Sequence, residues 1–248
     1  MALTKFNFNS FDVTSAASKG LGFNASANGF STIDPGAMTL IKTLTASSSS
    51  TLSFVDGSSS VVLDNTYSVY MFKFINMHPA TSDASLTFNM SVDGGSNYNV
   101  TKTTTTPRAY HDEADSEAAI EYDTGQDLAQ STSFQGISRF LGNGNDECGS
   151  GTLHIFDPSS TTFVKHFKSR ISNAENQSAI DTFVAGYGNT TSAVDAVCVC
   201  NKVILPCANC PELVIADIEL LLCFTKPKVI RLLHIILLFL NLYYLNPF

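Results

Sequence analysis

Nine residues, ASLTFNMSV, constrain this chain more than any others. Ala84, Leu86, Phe88, Met90 and Val92 alternate without a break with Ser85, Thr87, Asn89 and Ser91. A strict period of two is a strand signal, and one apolar face predicts a half-buried antiparallel strand. The DGGSN that follows supplies residues that tolerate positive φ, as a hairpin turn demands. The polar, Thr-rich YNVTKTTTT then reads as a returning edge strand ended by Pro107.

Similar segments recur along the chain. TLSFVD places Leu52 and Phe54 on one face, and YSVYMFKFINMHP is apolar on both faces, as a central strand is. GTLHIFDP, TTFVKHFKS, AIDTFVAGYGN and SAVDAVCV follow at sandwich-like spacing, divided by turn residues. There is no heptad and no alternation of strand with helix. The fold class predicted is all-β, an antiparallel, jelly-roll-like β-sandwich over residues 38–199. Residues 1–37 lack a period and read as an irregular N-terminal arm, packed on a partner through Phe8, Phe11, Phe23 and Phe30 or loosely ordered. Tyr110 to Gly144 reads as a long excursion with one possible helix, about Gln126 to Leu141.

Composition narrows the function classes. The net charge of −8 opposes nucleic-acid binding, which requires a basic surface. The amino terminus shows no apolar segment of a secretory signal. No G-x-S-x-G occurs. His111 beside Asp112 and Glu113 is the most enzyme-like spot, yet sequence neighbours on a strand face opposite ways, so no catalytic residue is assigned. His78, His154 and His166 lie on or beside strands, where core or surface roles suffice. GNGNDE (142–147) and DEADSE (112–117) are rich in oxygen ligands but lack calcium-loop spacing and read as solvated turns. Five N-x-[ST] sequons are expected by chance in so Ser- and Thr-rich a chain.

The strings MTLIKTLTASSSSTLSFVDG, YMFKFINMHPATSDASLTFNMSVDGGSNYN, AYHDEADS, DLAQSTSFQ, SGTLHIFDPSSTTFVKHF and FVAGYGNTTSAVDAV together resemble virion structural proteins of marine bacteriophages, tail-fibre-like or otherwise uncharacterised. The resemblance runs from Met1 to about Val197. It implies a β-rich particle component with no known active site, and it supplies no binding motif. Proteins of this kind continue past AVDAV with one or two more Gly- and Ser-containing strands.

This chain departs there. After Val197 there is neither Gly nor Ser, and five of the six cysteines lie at or after position 198. Three readings compete for residues 200–248. Cys198, Cys200, Cys207 and Cys210 offer four thiolates to zinc, although C-x-C is tighter than the usual knuckle. The leucine-rich VIRLLHIILLFLNLYYLNPF could anchor in a membrane, but its longest uninterrupted apolar run is six residues against the roughly 20 that a spanning helix needs. The favoured reading is translation out of the original frame, which accounts for both the leucine-rich vocabulary and the abrupt switch inside a strand. The tail then has no selected fold, and no metal or cofactor is expected.

The functional expectation is a non-enzymatic virion structural protein, an assembly module or a host-surface binder. Its partners would be other virion proteins, further copies of itself and a host surface glycan, with Tyr98, Tyr110 and Tyr187 as candidate contacts. The alternatives are a glycan-degrading, depolymerase-like enzyme and a membrane-anchored β-sandwich.

Overall fold

The structure is a computed structural model that describes residues 20–23, 29–33, 38–203 and 213–225. The chain divides into two units, Met1–Thr39 and Leu40–Phe248. The first holds β1 (Gly20–Phe23) and β2 (Phe30–Ile33), paired antiparallel with Phe23 stacked on Phe30 at 5.2 Å. A short hairpin thus stands where the irregular arm was expected, because four paired residues are too few to leave a readable period. Phe8 and Phe11 lie outside the described residues.

Among the described residues thirteen strands follow, the first beginning two residues before the second unit and the rest within it: β3 (Met38–Ala46), β4 (Thr51–Val55), β5 (Tyr67–Pro79), β6 (Ala84–Ser91), β7 (Lys102–Thr105), β8 (Pro107–Asp112), β9 (Ala118–Tyr122), β10 (Gln135–Gly136), β11 (Gly149–Phe156), β12 (Lys165–Glu175), β13 (Ser178–Gly188), β14 (Ala196–Val203) and β15 (Leu213–Thr225). They form two antiparallel sheets. The small sheet runs β10-β6-β14-β4, and the large one β3-β15-β5-β11-β12-β13-β8-β9, with β7 also paired to β13. The all-β sandwich expected from the alternation is what forms. No helix occurs among the described residues; the segment 126–141 is irregular apart from β10.

The core lies between the sheets. Phe88 of β6 meets Phe167 of β12 edge-on at 4.9 Å, and Phe54 of β4 meets Phe72 of β5 at 5.3 Å. Strand β12 alternates cleanly, with Lys165, Phe167, Ser169, Ile171 and Asn173 buried and His166, Lys168, Arg170 and Ser172 exposed.

Strand β6 is not half-buried. All eight of its residues are buried. Its polar side is covered by the segment 123–138, and Asn89 donates from Nδ2 to the carbonyls of Tyr98 at 2.6 Å and Thr132 at 2.9 Å. Nor does DGGSN close a hairpin. Gly94 and Gly95 do adopt positive φ, at 71° and 78°, but the chain then crosses to the other sheet, where β7 pairs with β13. Tyr110 to Tyr122 is likewise no excursion: β8 and β9 pair from Pro107↔Tyr122 to His111↔Ala118.

The composition break falls inside β14, which runs on to Val203 against β6 and β4 rather than ending at Val199. Val197 and Val199 face the interior with Met90 and Phe88, and Cys198 and Cys200 share the other face with Asn89 and Thr87. The backbone of Leu213–Thr225 pairs antiparallel with β5. Two stretches of the expected tail therefore carry strand pairing. Such pairing is open to any sequence, since ladder bonds need backbone groups and no particular side chain.

Candidate functional site

The outer face of the large sheet, away from the core, carries the most organised surface chemistry. Exposed positions two apart on β12 place His166, Lys168 and Arg170 in a row, about 6.6 Å from one to the next. Register puts Tyr187, Ala185 and Phe183 of β13 opposite them. On the other flank, His154 of β11 faces Lys168. The aromatic rings clasp the cations: Arg170 lies 4.7 Å over Phe183, Lys168 lies 5.8 Å over Phe156, and the rings of His166 and Tyr187 are 6.1 Å apart.

Ala185 sits between the two β13 rings. The small side chain leaves a depression on each side, and the two depressions share Ala185 and Thr105. One, of about 390 Å³, is lined by Pro107, His154, Lys168, Arg170 and Phe183; the other, of about 330 Å³, by Thr103, His166 and Tyr187. From Phe183 to Tyr187 the trough is about 13 Å long, four residues of strand. Its floor is a sheet, so the rings are held on a rigid element. Phe183 is 39% exposed. Arg170 is fixed by Asp181, which accepts from Nη2 at 2.6 Å and from Nε at 3.0 Å and raises the guanidinium further above its ordinary range. Burial, and then the Lys168 ammonium, hold the His154 imidazole below its ordinary range.

A second, acidic cleft of about 1000 Å³ brings together the two oxygen-rich loops. Among its lining residues are His111, Asp112 and Glu113 with Asp146 and Glu147. Two of these acids, Asp112 and Glu147, hold the loops. Asp112 Oδ1 accepts from the amides of Ser116 at 2.8 Å and Glu117 at 3.0 Å, and the Glu117 amide leads in keeping its carboxyl below the usual range. Glu147 accepts from the amides of Gly144 at 2.7 Å and Asn176 at 2.5 Å. His111 makes no hydrogen bond to Asp112 or Glu113; its Nε2 lies 3.0 Å from Asp115 Oδ1, with both side chains largely in solvent. Beside the cleft, burial and a hydrogen bond donated to Asp83 push Glu175 up to about 7.

The three tyrosines do not converge. Tyr187 lines the trough. Tyr110 pairs with Ile180 on the opposite face of the sheet, under the Arg108 guanidinium. Tyr98 follows the DGGSN turn, half-buried, and burial raises its phenol. His154 and His166 share the outer face on adjacent strands, whereas His78 lies at the end of β5 and contacts the Glu147 carbonyl at 2.7 Å. Of the four cysteines proposed for zinc, Cys207 and Cys210 lie outside the described residues. Cys200 Sγ is 3.0 Å from Thr87 Oγ1, and Cys198 Sγ is 3.8 Å from the Val199 carbonyl. Among the described residues no three metal-ligating side chains cluster, and no helix is long and apolar enough to cross a membrane. Residues 226–248 are outside that description. Composition pointed to none of Phe183, Lys168 or Arg170; the period-two pattern of KHFKSR and DTFVAGY was the available signal.

No family model matches the chain, and no curated protein matches it. Among solved structures it is similar to the crystal structure of the infectious bursal disease virus VP2 subviral particle, at 11% sequence identity over 90% of this chain and 52% of that one, with a TM-score of 0.12. The chain therefore spans about half the length of that protein. At such a TM-score the two folds do not superpose, and the likeness assigns to this chain no property of VP2.

Proposed function

We propose that this chain is a non-enzymatic structural component of a bacteriophage particle, a tail-fibre-like β-sandwich that works by surface contact and binds host-surface glycan along the β12–β13 trough. The observation that carries this reading is the trough itself. Two rings, Phe183 and Tyr187, flank a shallow floor on a rigid sheet, with polar groups along the rim. Sugar rings bind such surfaces by laying their C–H faces on aromatic planes while hydroxyls reach the polar rim. The sequence resemblance to marine phage virion proteins supports the location in a particle. The engagement of Asp112 and Glu147 in loop bonds supports the non-enzymatic half of the reading.

Contact with further copies belongs to the same proposal. Its support is β9, the last strand of the large sheet, whose Ile120 is 86% exposed. The bond from the Asp112 amide to the Glu117 carbonyl sets the ladder phase, so the backbone groups of Ala118, Ile120 and Tyr122 point away from β8. An antiparallel copy with Ile120 opposite Ile120 would pair all three.

Mass spectrometry of purified phage particles tests the location, and absence of the chain from them would refute it. Phe183→Ala combined with Tyr187→Ala is expected to abolish retention on host polysaccharide while leaving the far-UV circular dichroism unchanged. His111→Ala combined with Glu113→Ala is expected to leave folding and binding intact. Release of reducing ends from host polysaccharide by the wild-type chain, lost in that second variant, would replace the binding reading with the depolymerase one.

A further inference from the structure

We propose that the trough selects an anionic polysaccharide, one bearing uronate or sulfate groups, over neutral glycans. The inference rests on the glycan-binding reading above and adds the ligand's charge. The chain carries 22 acidic against 14 basic Lys and Arg residues, yet the exposed row on β12 is His166, Lys168 and Arg170. The one acidic residue among the trough's immediate neighbours in register, Asp181, is spent on Arg170. Among the described residues Lys168 has no carboxylate partner: its contact is the Phe156 ring at 5.8 Å. A cation held over an aromatic face keeps its donors for a ligand, and an uncompensated cation on an acidic protein marks where an anion gains most.

The spacing fits a polymer carrying repeated charge. Lys168 and Arg170 stand about 6.6 Å apart along a straight strand, and each lies beside its own apolar surface, Ala185 for Lys168 and Phe183 for Arg170. A sugar ring on that surface would turn an equatorial carboxylate or sulfate toward the β12 row. Arg170 is pre-oriented by Asp181 through Nε and Nη2, and its Nη1 makes no hydrogen bond among the described residues. A guanidinium fixed in this way loses little freedom on meeting a carboxylate or sulfate. Nucleic acid offers the same charge, but a chain of net −8 with so short a basic row repels the remainder of a phosphate backbone.

Affinity electrophoresis of the full chain decides the matter, with alginate, dermatan sulfate, neutral dextran and a single-stranded oligonucleotide as probes at about 50 mM and about 500 mM NaCl. The expected result is retardation by the two acidic polysaccharides that fades at the higher salt, with little retardation by dextran. Lys168→Gln is expected to weaken the acidic interaction by about tenfold, the loss of one charge-assisted contact. Phe183→Ala should weaken it as well. Both side chains are on the surface, and circular dichroism confirms folding. Equal, salt-independent retardation by dextran, unchanged in Lys168→Gln, would overturn the charge preference and leave the glycan site standing. Retardation by no polysaccharide would overturn both. Salt-sensitive binding untouched by either substitution, or stronger binding of the oligonucleotide, would also overturn the proposal.

Discussion

Phe88 shows how single residues join the two layers. It is fully buried and meets Phe167 across the sandwich. Phe88→Ala should destabilise the fold by about 3–5 kcal/mol, the cost of an aromatic cavity in a close-packed core, as measured by urea unfolding. A loss below about 1 kcal/mol would mean that the sheets do not pack through this contact. The inward direction of Phe88 was legible in the alternation of its strand. The fate of its neighbour Asn89 was not. Polar residues at period two read as solvent-facing, but the Asn89 amide is buried against carbonyls 9 and 43 residues away. Nothing local distinguishes a hydroxyl or amide bonded to water from one bonded to a distant loop.

Among the elements, long strands with strong alternation declared themselves and short ones did not. The segments read as TLSFVD, YSVYMFKFINMHP, GTLHIFDP and AIDTFVAGYGN coincide with β4, β5, β11 and β13. The β8–β9 hairpin escaped because PRAYHD and AAIEY hold few β-branched residues and are split by an acidic turn. That hairpin sets the edge of the large sheet. Ile120 stands exposed on this edge, and the strand's one charged residue, Glu121, is paired with Arg108 of β8 rather than left to guard it. Ile120→Lys should retain the circular dichroism spectrum and reduce concentration-dependent association in sedimentation velocity. Association that persists unchanged in this variant would exclude the β9 edge as the contact between copies.

For the molecule as a whole, two titrating groups oppose each other around neutral pH. Burial and the hydrogen bond with Asp83 push Glu175 up to about 7 from 4.5. The folded state then holds a proton that the unfolded state has released, so this contribution to stability is present below about 4.5 and is lost as pH rises through 7. Lys102 is fully buried, with Nζ donating to Asn89 Oδ1 at 2.5 Å and the Val100 carbonyl at 2.7 Å, and burial brings it down to about 7 from 10.5. Here the unfolded state holds the extra proton, so stability rises with pH between about 7 and 10.5. Together the two groups contribute a stability minimum near neutrality. Glu175→Gln should flatten the acid side of the pH–melting-temperature curve, and Lys102→Met the alkaline side. Identical curves for wild type and Lys102→Met would show that Lys102 does not titrate in this range.

The sequence by itself determined the all-β class, the inward apolar faces of β4 and β6 and the positive-φ turn at Gly94 and Gly95, because period and turn chemistry are local properties of the backbone. It also located the composition break at Val197. Only the tertiary structure decided that the DGGSN turn crosses between sheets, that the polar face of β6 is covered and that β14 continues through the break. Only register decided that Phe183, Tyr187, Lys168 and Arg170 share one trough while Tyr98 and Tyr110 lie elsewhere. Period two assigns a residue to one of two faces. Which strand lies beside it, and so which side chains meet, is set by pairing between segments far apart in the chain, and no local pattern encodes that choice.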